Sequence, residues 1–229
     1  MDTIAQWGGL IVATFGALLP IANPFSAAPV FAAASRQFTP EQRNQQARKA
    51  AIYMFAILVV ALLAGALILQ LFGITTPVLR MAGGVLIAKI GFAMLQPEPE
   101  SRVSEKSQQE AMSMVDIAFT PIAMPLLSGP GSIAVTIGMA THAQGPGEYF
   151  AIVIGIAVVA FIAWLVLRSS SRVIEFLGVN GMDALTKVMG FLLVGIGIQF
   201  VMTGLFEILT DESIVGAIVD AFRKAWEAG

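Results

Sequence analysis

Two ten-residue segments of the chain carry the residue types and spacing best suited to chemistry. Residues 20–29 (PIANPFSAAP) and 121–130 (PIAMPLLSGP) both read Pro-Ile-Ala-x-Pro, four further residues and Pro, at an offset of 101 residues. A proline within a helix removes a backbone donor and clashes with the preceding turn, so each segment predicts a helix break. Asn23 before Pro24, and Ser128 or Gly129 before Pro130, are typical caps and first residues of a new helix.

The two predicted helix starts suit a small anionic or zwitterionic ligand. Unpaired N–H groups and the positive end of the helix dipole attract a carboxylate. Gly129 and Gly131 would let the backbone approach such a ligand closely. The alternative is that the prolines only kink helices that pack on their neighbours, since Pro and Gly are common in membrane spans. Two breaks at matching places favour a binding site, because paired broken spans mark the substrate sites of transporters.

A few other polar side chains lie within apolar stretches and are also candidates for a ligand site. Ser26, Thr120 and Ser128 lie beside the breaks, and each hydroxyl either contacts a ligand or bonds its own helix backbone. Gln199 falls within an apolar span, where its amide either binds a ligand or links two helices. The predicted substrate-binding residues are Asn23, Pro24, Ser26, Thr120, Ser128, Gly129, Pro130, Gly131 and Gln199.

Charged residues within the apolar stretches are few and predict ion pairs. Lys89 lies near the inner end of its predicted span, where it either extends to the interface or pairs with Asp116 or Asp183. Arg80 and Glu207 both lie near the outer end of predicted spans. We expect these two to pair, because a charge in the membrane needs a partner.

The composition predicts a polytopic membrane protein. Mean hydropathy is +0.81, hydrophobic residues make up 57% of the chain and charged residues only 12%. Taking about 20 apolar residues per span, the fold class is all-α integral membrane, with six transmembrane spans as a 3+3 inverted repeat and spans 1 and 4 broken mid-membrane. The predicted spans are about 5–35, 51–72, 76–95, 115–140, 149–168 and 184–208.

The chain divides into two three-span repeats, 1–95 and 115–209, joined by a polar inner linker, 96–114, and followed by an amphipathic interfacial tail, 210–229. Lys and Arg concentrate in the loops on one side, which the positive-inside rule assigns to the cytoplasm, so both termini are predicted outside. Each repeat has an odd number of spans, so the two repeats must be oppositely oriented.

A second, weaker alignment supports the repeat. It matches residues 76–83 with residues 183–190 at an offset of 107, and each segment begins with a helix-capping residue and ends with glycine.

Several function classes are excluded by what the sequence lacks. It has no cysteine, which excludes disulfides and thiolate metal sites. It has no Gly-rich phosphate loop with Lys, no cluster of carboxylates within the spans and no nucleophile with a base partner. A net charge of −2 without a basic stripe gives no sign of nucleic-acid binding. We therefore expect no enzyme activity, no cofactor and no metal.

The two proline segments, PIANPFSAAPVF and TPIAMPLLSGPGSIA, together with LRMAGGVL at 79–86, resemble the MarC family of six-span inner-membrane proteins. The resemblance covers about residues 4–208. It implies a SnatA-like secondary transporter of small neutral amino acids such as glycine and alanine, with a site at Asn23, Pro24 and residues 128–131. It also implies a location in the inner (cytoplasmic) membrane.

The substrate partner is thus expected to be a small neutral amino acid, with a coupling proton or cation as a further candidate and the lipid bilayer as surroundings. Two alternatives stay open. One is an exporter of drugs or other small metabolites, which would require a wide, aromatic-rich cavity. The other is a non-transporting membrane scaffold or regulatory protein, which would bind no substrate and tolerate polar changes at both breaks.

Overall fold

The computed structural model describes residues 2–96, 116–143 and 145–210, and this part of the chain contains helices and no strand. The predicted linker, 96–114, and the predicted tail, 210–229, lie outside the described residues except for the first residue of each. The helices are α1 (Asp2–Ala22), α2 (Pro24–Ala34), α3 (Pro40–Phe72), α4 (Thr76–Leu95), α5 (Ala118–Leu127), α6 (Pro130–His142), α7 (Pro146–Arg168) and α8 (Ser170–Leu209).

Four of the helical segments are long and apolar enough to cross a membrane by themselves: Pro40–Gly65, Thr76–Leu95, Pro146–Arg168 and Asn180–Leu209. Two further pairs of helices, α1 with α2 and α5 with α6, meet at bends of 44° and 63°. Each pair passes the same length and hydropathy criteria when it is taken as one broken span. The described residues therefore hold four to six candidate spans, and both predicted breaks are present.

Helices α3 and α8 begin well before the apolar segments that predicted them. The predicted spans began at residues 51 and 184, whereas the helices begin at Pro40 and Ser170. Residues 41–50 are rich in Gln, Arg, Lys and Ala, which are good helix formers, so α3 continues beyond its apolar part. Hydropathy marks where a helix meets lipid and not where it ends. Within α8 the backbone turns at Gly178, whose φ of +65° is accessible to glycine without strain.

Glycines bring α4 and α8 into backbone contact. A Cβ atom added to Gly84 would lie 2.5 Å from the carbonyl oxygen of Gly197, and one added to Gly91 would lie 2.6 Å from that of Gly190. Such close approach stabilises helix pairs in a membrane through van der Waals packing. If Gly84 of the first half corresponds to Gly190 of the second, and Gly91 to Gly197, exchanging the two halves turns the contact of Gly84 with Gly197 into that of Gly91 with Gly190. This match has an offset of 106 residues, one less than the sequence alignment used.

The remaining helices pack in matched pairs. Of the first broken pair, α1 packs against α7, and α2 packs against α7 and α8. Of the second broken pair, α5 packs against α3, and α6 packs against α3 and α4. Helices α3 and α7 also contact each other. The two broken pairs therefore have corresponding neighbours, each taken largely from the other half of the chain.

At each end of the bundle, polar contacts join residues near the loops that connect the helices. At one end Lys49 Nζ lies 2.9 Å from an Asp116 carboxylate oxygen and Arg43 donates to the Ser171 hydroxyl at 3.0 Å. At the other end Gln6 donates to a Glu148 carboxylate oxygen at 2.9 Å. Loops that were predicted on the same side of the membrane thus come together.

The structure bears on the ion pairs that the sequence analysis considered. Arg80 and Glu207 form an ion pair, as predicted. Lys89 does not pair with Asp116 or Asp183. Asp116 pairs with Lys49, and Asp183 pairs with Lys187, four residues later on the same helix, at 2.6 Å. Of the two alternatives for Lys89, the structure excludes the ion pair and leaves extension to the interface, because α4 turns this side chain outward, where it is exposed.

Candidate functional site at the two helix breaks

The first break is formed by Asn23, as its sequence context predicts. The Asn23 N–H donates to the Leu19 carbonyl at 3.0 Å, which completes the end of α1. Its backbone then adopts φ 34° and ψ 67°, in the left-handed region that Asn tolerates better than most residues. The Asn23 Oδ1 atom accepts the N–H of Ser26 at 3.3 Å and caps α2, which begins at Pro24. One residue therefore ends one helix and begins the next.

The Asn23 side chain also takes part in a hydrogen-bond network that joins the two halves of the chain. Its Nδ2 atom donates to the Ser26 hydroxyl at 2.6 Å, and that hydroxyl lies 3.2 Å from the Thr186 hydroxyl of α8. Asn23 is only 6% exposed. Each end of its amide thus makes one hydrogen bond within the protein, which leaves one further N–H donor and one further acceptor site on the oxygen.

Thr186 is a member of this network that the sequence did not single out. It lies in the second half, far along the chain from either proline segment, so no local pattern marked it. The available signal was weak: Thr186 is a hydroxyl residue within a mostly apolar span, and such side chains usually bond their own helix. Only the packing of α2 against α8 brings it to Ser26.

The second break has a different local structure. Thr120 and Met124 have extended backbone angles, and the N–H groups of Ile122 and Ser128 bond carbonyls five residues earlier, at 3.4 and 2.8 Å. Helix α5 is therefore an irregular segment of wide turns. It ends at Leu127 with Ser128 as its C-cap, and Gly129 forms the N-cap position of α6, which begins at Pro130. Of the two predicted cap residues, Gly129 takes that position and supplies no side chain.

The Ser128 hydroxyl is the distinctive polar group of the second break. Ser128 is completely buried, and its Oγ atom has no hydrogen-bond partner among the described residues. Neighbouring hydroxyls are satisfied by backbone: Ser132 donates to the Leu127 carbonyl at 3.2 Å and Thr136 to the Ser132 carbonyl at 2.7 Å. Leaving a buried polar group unpaired costs about 1–3 kcal/mol, so an unpaired one calls for a ligand or another explanation.

The two breaks touch through glycine. A Cβ atom added to Gly131 would lie 3.3 Å from Cγ2 of Ile21, two residues before Asn23, and 3.4 Å from Cδ1 of Ile90. One added to Gly129 would lie 2.8 Å from the Pro125 carbonyl oxygen. The space beside these glycines is occupied by protein, whereas the sequence analysis expected it to be open to a ligand. Their small size instead lets the start of α6 pack closely against the first break and against α5.

Two predicted site residues lie elsewhere. Thr120 is exposed, and no hydrogen bond joins its hydroxyl to the described residues. Gln199 donates to the Thr203 hydroxyl of its own helix at 3.1 Å. It lines a cavity of about 220 Å³ between α4, α6 and α8, together with Arg80. The α6 wall of this cavity begins at Ala134, one turn after Gly131, so the cavity extends outward from the second break.

The ion pair of Asp116 with Lys49 stabilises the start of α5. Asp116 bonds Lys49 through one carboxylate oxygen and accepts the N–H of Ala118 at 3.0 Å through the other. These hydrogen bonds, that of Lys49 foremost, lower the pKa of the Asp116 carboxyl below its ordinary value of 3.8. The described residues contain no group of three His, Cys, Asp or Glu that could hold a metal ion.

The fold and the site define a helical multi-pass membrane protein whose two bent helix pairs meet near a buried, unpaired hydroxyl. A family model for MarC family integral membrane proteins matches residues 9–209, and the chain belongs to this family. It is 40% identical to the inner membrane protein MarC of Salmonella paratyphi A, an alignment that covers 91% of this chain and 98% of the relative. It is 38% identical to the inner membrane protein MarC of Escherichia coli strain SMS-3-5, over 88% and 94% of the two chains. No solved structure matches the chain.

Proposed function

We propose that this protein is a secondary transporter of small neutral amino acids that works by alternating access. The observation that carries the proposal is the pair of matched helix breaks, each of which starts a new half-helix and which contact each other through Ile21 and Gly131. Broken helices of this kind form the substrate sites of several transporter folds.

The helix contacts support a 3+3 inverted repeat. If the repeats are α1–α4 and α5–α8, exchanging them converts the contact of α1 with α7 into that of α5 with α3, and likewise for α2 and α6. The same exchange relates Gln6 with Glu148 at one end to Asp116 with Lys49 at the other, since each pair joins the start of a broken helix pair to the long helix against which it packs. Alternating access follows when one repeat rocks against the other around a fixed site.

The chemistry of the second break suits a carboxylate. The first N–H groups of α6, at Gly131 and Ser132, lie at the positive end of the helix dipole and have no carbonyl within their own helix. The buried Ser128 hydroxyl is a further donor. The hydroxyls of Ser26 and Thr186, with Asn23 Oδ1, are acceptors that suit the ammonium group of a zwitterion. The class of glycine and alanine itself comes from the resemblance of the sequence.

One observation favours a small substrate, and a second one bears on where a coupling ion would bind. The cavity of about 220 Å³ that follows α6 is smaller than the roughly 300–1,000 Å³ of sites for drug-sized ligands. The carboxylates in the described candidate spans also lie within a few residues of a span end, as Glu41, Glu148, Asp183 and Glu207 do. A coupling proton or cation would therefore bind to backbone carbonyls, hydroxyls or the substrate itself.

Uptake of labelled alanine and glycine into proteoliposomes tests the proposal. We expect the purified chain to exchange labelled for unlabelled alanine across the membrane, and Ser128→Ala to slow that exchange. Ser132→Ala is the matched control because its hydroxyl already bonds a carbonyl. Exchange of neither amino acid by monodisperse wild-type protein would refute the substrate class and favour a drug exporter or a scaffold.

The orientation has its own test. We place both termini outside the inner membrane, because the end of the bundle with Arg43, Arg168 and Arg172 is the more basic. A single cysteine at Gly229 of this cysteine-free chain should react with an impermeant reagent added outside the membrane.

A further inference from the structure

The basic end of the bundle holds a cavity that the transport proposal does not use. It has a volume of about 440 Å³ and lies between the start of α3 and the junction of α7 with α8. Its lining includes three arginines and one carboxylate: Arg43, Arg168, Arg172 and Glu41. None of the three arginines forms an ion pair within the described part of the chain. The cavity therefore has an excess of two positive charges that no described residue neutralises.

Several polar atoms in and beside this cavity lack partners. Arg43 donates to the Ser171 hydroxyl and to the Ser35 carbonyl, but its Nε atom is buried without a hydrogen bond, as is Asn44 Oδ1. The Ser35 and Ser170 hydroxyls are completely buried and also unpaired in the described part of the chain. Buried donors usually find a partner. Arginines with free donors and positively charged surroundings favour a phosphate, which accepts two parallel N–H bonds from one guanidinium.

An apolar groove of about 370 Å³ continues from this end along the same two helices. Its lining includes Ile52 and Phe55 of α3 and Ala157, Ala160, Phe161 and Trp164 of α7. Ile52 and Phe161 are more than half exposed, so the groove opens to the side of the bundle that faces lipid.

Trp164 connects the cavity and the groove. Trp164 lines the groove and Arg168 lines the basic cavity. The Arg168 guanidinium carbon lies 5.3 Å from the centre of the Trp164 ring, so the two sites adjoin each other at this pair. Along α3, Arg43 of the cavity and Ile52 of the groove are nine residues apart, about 14 Å along the helix axis. A charged headgroup and the start of an acyl chain span this kind of distance.

We propose that the cavity and the groove form a binding site for one anionic phospholipid at the cytoplasmic end of the bundle. The lipid phosphate binds to Arg43, Arg168 and Arg172, and one acyl chain lies in the groove between α3 and α7. A lipid fits better than a free phosphate because the apolar groove adjoins the charged cavity. Since the lipid would contact α3, α7 and the start of α8 at once, it would hold helices of both halves together.

Native mass spectrometry of the full chain in detergent tests this site. Phosphatidylglycerol should bind more tightly than phosphatidylcholine with the same acyl chains. Arg168→Gln and Arg172→Gln should each lower phosphatidylglycerol affinity roughly fivefold and lower phosphatidylcholine affinity less, because the choline cation offsets the charge of the phosphate. Arg36→Gln is the control, because Arg36 is exposed and lines neither the cavity nor the groove. Equal affinity for the two lipids, or an equal loss in Arg36→Gln, would overturn the proposal.

A second variant separates a lipid from a free anion. Ala157 is exposed in the groove, so Ala157→Trp should fill the groove without disturbing the core. We expect Ala157→Trp to weaken phosphatidylglycerol binding, although the three arginines of the cavity are still present. Glycerol phosphate, which lacks acyl chains, should compete poorly with the lipid. Competition by glycerol phosphate at the same concentration as the lipid, with no effect of Ala157→Trp, would show a free-anion site and refute the lipid.

Discussion

Replacing Asn23 separates its backbone role from its role in the hydrogen-bond network. Asn23→Ala loses the cap of α2, which costs about 0.5–2 kcal/mol, and places alanine, which lacks the polar side chain that helps asparagine adopt the left-handed region, in that conformation, which costs about 1–2 kcal/mol more. Asn23→Gly adopts the same backbone freely, and glycine at a cap position costs only a few tenths of a kcal/mol. Both variants lose the bond to Ser26, worth about 0.5–1.5 kcal/mol.

We therefore expect Asn23→Ala to be less stable than Asn23→Gly by about 1–4 kcal/mol in chemical unfolding of the purified protein. Alanine exchange should be impaired in both, because both break the link from Asn23 through Ser26 to Thr186. Equal stability of the two variants would refute the left-handed cap as the reason for Asn at this position. Exchange at the wild-type rate in a well-folded Asn23→Gly protein would show that the network has no part in transport.

Three further changes test other parts of the structure. Gly197→Val should destabilise the contact of α4 with α8 by roughly 1–3 kcal/mol or more, since the added side chain meets the Gly84 carbonyl, whereas Gly195→Val, with nothing within 4 Å, should be tolerated in the same thermal unfolding assay. Ser128→Ala should leave thermal stability unchanged or raised, because the lost hydroxyl is unpaired, while calorimetry shows weaker alanine binding. The pKa of Asp116 is lowered in the folded state, so its contribution to stability is complete above about pH 4 and is lost as the pH falls through the lowered value. Asp116→Asn should remove that pH dependence, which stays below about 1 kcal/mol because the pair is partly exposed.

The helix breaks could be predicted from sequence because proline acts locally. Pro24 and Pro130 fix the first residues of α2 and α6 whatever surrounds them, and Asn23 has both the side chain and the backbone tolerance to join two helices. The apolar segments likewise predicted which helices are long and apolar enough to cross a membrane. Those features depend on a few neighbouring residues, so the sequence displays them.

Contacts between distant segments could not be predicted in the same way. Thr186 meets Ser26 only because α2 packs on α8, and Lys49 rather than Lys89 reaches Asp116 because of the direction in which each helix faces. The same holds for Gly131, whose missing side chain makes room for Ile21 of the first break. Gln199 was selected for its polarity alone, and its hydrogen bond to Thr203 of its own helix and its place in the wall of the cavity between α4, α6 and α8 appear only in the structure.

The most direct test of the central claim is the accessibility of Ser128. The chain has no cysteine, so Ser128→Cys introduces a single thiol at a completely buried position of the second break. Alternating access predicts that an impermeant thiol reagent labels this cysteine from either side of the membrane, and that saturating alanine slows the labelling while an equal concentration of a large amino acid does not. A cysteine labelled from one side only, or at a rate that alanine leaves unchanged, would contradict a substrate site between the two breaks.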